Sequence, residues 1–391
     1  MINGLIELPW WGYLIVVLAL THVTIASVTI FLHRHQAHRA IGLHPLLSHF
    51  FRFWLWLTTG MMTREWVAIH RKHHARVETD DDPHSPQVRG ISKVLWQGVE
   101  LYRQEAKHGE TLRDFGHGTP DDFIERYLYT RFPYTGISLL FLIDFMLFGF
   151  IGVTIWAVQM AWIPFFAAGV INGIGHWGGY RNYESPDAST NIVPWGFLIG
   201  GEELHNNHHA FASSAKFSSK WWEFDLGWCY IRTLQFLGFA RVKKLAPKPA
   251  IDTSKVEIDR DTVSAVISNR LHIMSQYTRK VVKQVYKDET ARADAATQRL
   301  LKRGKQFISR AEARMDATSR RKLDELLRHN QTMQIVYEFR QRLQALWAEK
   351  SATQESLLRA LQEWCQQAEA TGIKALEDFA AQLRCYTLRP A

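Results

Sequence analysis

The chain has 391 residues, room for two domains of ordinary size, and 47% of them are hydrophobic, 15 being Trp. Mean hydropathy is nevertheless only −0.19, an average that two unlike halves produce, and Cys229, Cys365 and Cys385 are spaced for neither a disulfide framework nor a thiolate metal site. The formal charge of +9 suits nucleic acid, anionic lipid or an acidic protein; with apolar spans in the same chain, lipid and protein come first and no nucleic-acid partner is expected.

In chain order, residues 10–32 are apolar apart from His22 and some Thr and Ser, and at about 1.5 Å per residue they can cross a hydrocarbon core of about 30 Å. No basic region precedes them and no small-residue cleavage site follows, so they read as a retained span, not a signal peptide. His33, His35 and His38 come next. On a regular helix His33 and His38 would diverge by about 140°, so their convergence predicts that the helix ends after Leu32, with His35 facing away. Residues 45–62, with His49 and Arg52, are near the lower length limit for a span.

His70, His73 and His74 have i, i+3, i+4 spacing and share a helical face, and His205, His208 and His209 repeat that spacing. One such triplet alone is as well read as a surface histidine run. Two, with a third cluster, imply more than one bound metal ion, because neutral imidazole is the commonest metal ligand and is cheap to hold near lipid. Between the triplets, 134–150 and 153–175 read as a hairpin of two spans turning at Gly149 and Gly152, with Asp144 their only acidic group. Asn172 and His176 share a face at its end, a polar pair aimed at the cluster side. Asp82 and His84 follow the second cluster, either as acceptors for imidazole N–H groups or as a solvated acidic turn.

Parity restricts the topology. If all clusters serve one centre they lie on one side of the membrane, so 45–62 is membrane-embedded without a simple crossing. Arg34, Arg39, Arg64, Arg71 and Lys72 flank that side and residues 1–10 carry no Lys or Arg, which puts the clusters in the cytoplasm. The domains expected are a membrane domain over 1–245, a Pro/Lys linker over 246–257 and a cytosolic helical extension over 258–391. In the last, Val336, Phe339, Leu343, Leu346 and Trp347 form one stripe, Leu357, Leu361 and Trp364 a second, and Gly372 ends that helix.

These residues resemble those of the membrane fatty acid desaturases, in particular the acyl-CoA Δ9 (stearoyl-CoA type) branch. The family's boxes HxxxxH, HxxHH and HxxHH match His33/His38, His70/His73/His74 and His205/His208/His209. Asp82-Pro83-His84 resembles its DPH, Gly201-Glu202 its GE before box three, and Asn172 with His176 its NxxxH element. The likeness covers roughly residues 10–245 and not the C-terminal third. Two departures stand out: HNNHH where many members have HNYHH, and Ala68-Ile69 where animal acyl-CoA enzymes carry the coenzyme-contacting Arg-Asp, which leaves room for phospholipid-bound chains.

The resemblance implies an all-α integral membrane protein with a cytosolic histidine-rich di-iron cap. It implies two Fe2+ ions held by His33, His38, His70, His73, His74, His176, His205, His208 and His209, with Asn172 acting through a water and Asp82, His84 and Glu202 behind the ligands. It further implies O2 as co-substrate, a cis double bond made in fatty acyl-CoA or a membrane lipid acyl chain, and a separate electron donor such as ferredoxin or rubredoxin with a NAD(P)H reductase. The setting expected is a bacterial inner membrane. The rivals are a membrane di-iron hydroxylase of alkanes or fatty acids, separated by gain of oxygen against loss of two hydrogens, and a metal transporter or sensor, which would need ionisable groups along a path. Trp54, Trp56, Trp66, Trp177 and Trp195 are candidates for a tunnel lining or an interfacial belt, with belt the default.

Overall fold

In the computed structural model, described over residues 4–310, 314–348 and 353–388, the chain divides into two compact units. One comprises residues 1–182 and 187–246, the other 183–186 and 247–391. Regular structure in both is overwhelmingly helical.

In the first unit, helix α1 (Trp10–Ala37) and helix α6 (Phe150–Ile174) are long and apolar enough to cross a membrane by length and composition, and α5 (Thr135–Phe148) is a shorter apolar helix. Leu14, Ile15 and Leu18 on α1, Leu142 and Met146 on α5 and Ile151 on α6 are exposed, apolar faces of the kind that contact lipid. The inner end of α1 (Ile25, Val28, Ile30, Phe31, Leu32) packs with Phe51, Leu55 and Ile163 into the unit's core. Helix α2 (Pro45–Thr58) has 14 residues, about 21 Å of rise, short of a full crossing. Its Arg52 is buried and held by Asp122 at 2.5 Å and Glu125 at 3.0 Å, so the cation is neutralised inside the protein.

The α5–α6 hairpin turns on one glycine, not two. Gly149 has φ +61°, a left-handed conformation that suits glycine. Gly152 lies inside α6, where an added Cβ would stand 1.9 Å from the Asp144 carbonyl oxygen. It is a close-packing glycine, and helix–helix contact, not turn geometry, demands it. Asp144 is buried and accepts a hydrogen bond from Gln159 at 3.0 Å, which pins the carboxyl to the neighbouring helix.

Helix α3 (Thr63–Arg76) carries the second histidine triplet, and α4 (Ile91–Glu105) crosses the end of α6. The third triplet lies on a six-residue helix, α7 (His205–Ala210), and α8 (Leu226–Phe236) follows. Strand β1 (Ile41–Leu43) pairs antiparallel with β2 (Ala240–Val242), tying the chain just after α1 to the end of the unit.

The second unit is a bundle of α9 (Arg260–Ser268), α10 (residues 270–292), α11 (Ala295–Ile308), α12 (Ala317–His329), α13 (Gln331–Ala348), α14 (Gln354–Ala370) and α15 (Lys374–Arg384). Asp294, Asp316 and Thr353 cap α11, α12 and α14 by accepting N–H bonds from Thr297, Ser319 and Ser356. Gly372, at φ +70°, separates α14 from α15. Val336, Phe339 and Leu343 of α13 and Leu361 and Trp364 of α14 face inward against Tyr277, Leu376 and Phe379.

Candidate metal centre

The end of α1 does not stop at Leu32. Residues Ser27–Ala37 continue as a π-helix, and the His38 N–H donates to the His33 carbonyl at 3.0 Å, an i→i+5 bond. Residues five apart then stand one turn above each other, so the wider helix brings His33 and His38 to one face where an α-helix would splay them. The expected break is therefore a change of pitch. His35 points away, its Nδ1 3.1 Å from the Ile41 carbonyl oxygen.

The nine imidazoles singled out by spacing converge in two adjoining sets. His33, His38, His70, His74 and His208 form one; His73, His176, His205 and His209 form the other; within each, the potential ligand atoms lie within 4.8 Å of one another. Each HxxHH triplet is split. The i, i+4 pair His70/His74 joins the five-membered set while His73 turns to the other, and in box three the pair His205/His209 joins the four-membered set while His208 crosses back.

Nε2 atoms face one another at 3.0 Å for His33 and His208, 2.8 Å for His38 and His70, 2.9 Å for His74 and His208, 3.2 Å for His73 and His176 and 3.0 Å for His176 and His205. Two nitrogens each about 2.0–2.1 Å from a shared metal would sit about 3 Å apart, so the spacing fits coordination. The pair His73 and His176 is the most telling. His73 Nδ1 lies 2.9 Å from Asp82 and His176 Nδ1 3.3 Å from Glu78, so the tautomer in which each ring donates Nδ1–H to its carboxylate turns an Nε2 lone pair toward the other ring. Two lone pairs are left facing each other at 3.2 Å, an arrangement that a cation between them relieves.

Among the described residues, carboxylates back four of these rings. Besides those two, His33 Nδ1 is 2.6 Å from Glu202 and His209 Nδ1 3.2 Å from Asp187. Four carboxylates match the charge of two divalent ions, so the donor set fits two metals electrostatically as well as geometrically. Burial pushes the imidazoles of His38, His70, His74, His205 and His208 well below their usual range, and that of His209 to about 4 although Asp187 opposes it. These rings are neutral at physiological pH, the form that binds metal. Against the desolvation that burial imposes, the facing His73 and His209 hold the carboxyls of Asp82 and Asp187 well below the usual range.

Asp82 also accepts the N–H groups of Glu78 at 2.8 Å and His84 at 3.1 Å, so the acidic turn after box two is built, not merely solvated. His84 is buried and stacks on His73, centroids 4.4 Å apart. Asn172 is half-buried one turn before His176, its side chain without a hydrogen-bond partner among the described residues. Glu78 and Asp187 escaped sequence reasoning. Neither has a periodic or motif signal; Glu78 is positioned by a left-handed backbone of φ +60° and accepts the Ala188 N–H at 2.5 Å, and Asp187 is fixed by Ser189, whose N–H and hydroxyl both donate to it. The two Asn of HNNHH anchor α7: Asn207 donates to Glu223 at 2.9 Å and Asn206 accepts the Asn182 N–H at 2.9 Å.

Arg34, fully buried, pairs with Asp225 at 2.9 Å and lies 3.8 Å above the Phe217 ring. Phe217 in turn packs against His33 and His208, so this ion pair supports the five-membered set. Trp66 stacks on His70 with centroids 4.8 Å apart. Trp54 and Trp56 donate to Thr24 and to the Phe132 carbonyl, whereas Trp177 and Trp195 are exposed.

A helical scaffold with apolar outer faces, enclosing two imidazole sets backed by carboxylates, defines a histidine-rich enzyme core suited to two metal ions. The family model for fatty acid desaturases matches residues 8–244, and the chain belongs to that family; an oxidoreductase of lipid metabolism follows. The chain is 32% identical over 230 residues to the sn-1 stearoyl-lipid 9-desaturase of Anabaena variabilis, covering 57% of this chain and 80% of that protein. It is 30% identical over 240 residues to Delta-9 acyl-lipid desaturase 1 of Arabidopsis thaliana, covering 60% and 76%. It is also 30% identical over 237 residues to an acyl-CoA 5-desaturase of Anemone leveillei, covering 57% and 70%. A second model, described as a transposase, matches residues 262–388, within the helical unit.

Proposed function

We propose that this chain is an O2-dependent acyl desaturase that introduces a cis double bond, at Δ9, into acyl chains carried by membrane lipid. The facing lone pairs of His73 and His176, each ring committed to a carboxylate, are the observation that carries the metal assignment. On this reading His33, His38, His70, His74 and His208 hold one iron and His73, His176, His205 and His209 the other, with Asn172 orienting a water. Bound iron supplies the activation of O2 and the electrons' route to it. The protein's own part is to fix the rings through Asp82, Glu78, Asp187 and Glu202, to keep the site dry, and to place the acyl chain.

Apolar walls cannot recognise a methylene by hydrogen bonding, so the bond position follows from chain depth and head-group anchoring. The carrier is the finer point. Acyl-CoA is the first expectation from the resemblance, but Ala68 and Ile69, just before box two, are buried and apolar and offer nothing to a coenzyme phosphate. Two of the relatives are named for acyl-lipid substrates, which also supports the lipid reading. Electrons come from a separate ferredoxin- or rubredoxin-type donor, with the metal centre on the cytoplasmic side of a bacterial inner membrane.

The test is fatty acid analysis by mass spectrometry in a host without Δ9 unsaturation. Wild type should yield monounsaturated chains appearing first in membrane lipid after a labelled-acetate pulse, and His73→Ala and His176→Ala should yield none. Products that gain oxygen would instead identify a hydroxylase, and double bonds appearing first in the acyl-CoA pool would overturn the lipid assignment.

A further inference from the structure

The net charge of this protein is concentrated in one place. From Pro247 to Ala391 there are 26 Lys and Arg against 18 Asp and Glu, so that segment accounts for nearly all of the excess. Within the helical unit, α10, α11 and α12 enclose an open groove of about 870 Å³. Among the described residues six cations line it, Lys283, Lys302, Arg303, Lys305, Arg321 and Lys322, and Glu325 is the one acid. All six are exposed.

A solvated helix face is the bland account of such a run, and two observations count against it. Several cations elsewhere on the unit are paired, among them Lys255 with Asp259, Arg260 with Glu355, Lys374 with Asp378 and Arg384 with Glu369. None of the six groove cations has a carboxylate within ion-pair distance among the described residues. The surface is also concave, so like charges from three helices converge where they repel most, unless an anion fills the space. Tyr286 lines the same groove, with Lys305 Nζ 4.7 Å from its ring centroid, and the hydroxyls of Thr278 and Ser309 add donors.

We infer that this groove binds single-stranded nucleic acid through its phosphodiester backbone, with Tyr286 offering a face for base stacking. A basic groove with an aromatic platform and hydroxyl donors is the chemistry that tracks a flexible polyanion without reading sequence. Anionic membrane is the weaker occupant. Surface-binding segments couple basic residues to an apolar wedge, and the large exposed apolar residues of this unit, Ile251, Val256 and Leu388, lie outside the groove lining. An acidic protein is weaker too, since lysine is depleted in protein interface cores.

The full chain in uncharged detergent, titrated into fluorescein-labelled oligothymidylate, tests this by fluorescence anisotropy across a salt series. The expected result is binding that weakens with salt. Lys302→Gln/Lys305→Gln/Arg321→Gln should weaken it about 10-fold or more and flatten the log–log salt slope by about 2, near 0.7 per lost phosphate contact. Arg260→Gln/Arg359→Gln/Lys374→Gln removes equal charge elsewhere and should change affinity less than about 3-fold. Lys302→Gln alone, a single surface change, keeps the test valid if the triple variant does not fold. Equal loss in both triples would overturn the groove assignment. So would absence of oligothymidylate binding, whether phosphatidylglycerol vesicles or an acidic ferredoxin bind instead or nothing does. Acyl-chain desaturation should be unchanged in every one of these variants.

Discussion

The two imidazole sets use one ligand type and are supported in opposite ways. In the five-membered set only His33 meets a carboxylate among the described residues, Glu202, which also accepts a hydrogen bond from Thr29 at 2.6 Å. In the four-membered set three of four rings do: His73, His176 and His209. An imidazole that donates Nδ1–H to a carboxylate is a more basic and better oriented ligand. One set thus has more rings and the other more rings held by carboxylates.

Several changes would break or sharpen that contrast. The largest effect is expected from Arg34→Met, which strands Asp225 in the interior beneath the five-membered set. Loss of one partner of a buried ion pair costs about 3–5 kcal/mol, so chemical denaturation in detergent should show a large drop, and an unchanged midpoint would remove Arg34 from the supporting structure. Next, Asp82→Asn with Asp187→Asn should weaken metal binding at the four-membered set by about 10–100-fold, leaving iron near one per chain by elemental analysis. Glu202→Gln should act on the other set and at the lower end, about 10-fold, because four further imidazoles remain unaltered. Equal losses in the two cases would erase the distinction.

Glu65 on α3 is a control belonging to neither set. Burial pushes its carboxyl up to about 7, so between the unfolded value of about 4.3 and 7 the folded chain holds a proton that the unfolded chain releases. Its contribution to stability is full below that window and is lost as pH rises through it. Glu65→Gln should flatten stability against pH over this range by on the order of 1 kcal/mol, reduced because the group is partly solvated, with iron content unchanged. A slope that survives the substitution would assign the effect to another group.

Much of the centre was legible because helical spacing is local. The i, i+3, i+4 triplets had to present rings on a common face, whereas the hydropathy change after Leu32 pointed to a helix end that the continuous helix through Ala37 replaces. Asp82 and Glu202 were within reach because they neighbour boxes in sequence. Glu78 and Asp187 were not, since each meets its histidine across a loop, 98 and 22 residues away in the chain. Gly152 was misread for a related reason: a glycine between two apolar runs signals a turn, and only the neighbouring Asp144 backbone shows it to be a contact. The π-helical pitch of Ser27–Ala37 had no local signature either.

By itself, then, the sequence determined that each HxxHH triplet presents its rings on a common helical face and that these faces lie near apolar helices, because that periodicity follows from backbone geometry alone. The tertiary structure decided how the rings are shared out. Which side of a helix faces which neighbour depends on packing of α1, α3 and α7 against one another, and that packing splits each HxxHH box between two sets and selects the carboxylates that back them.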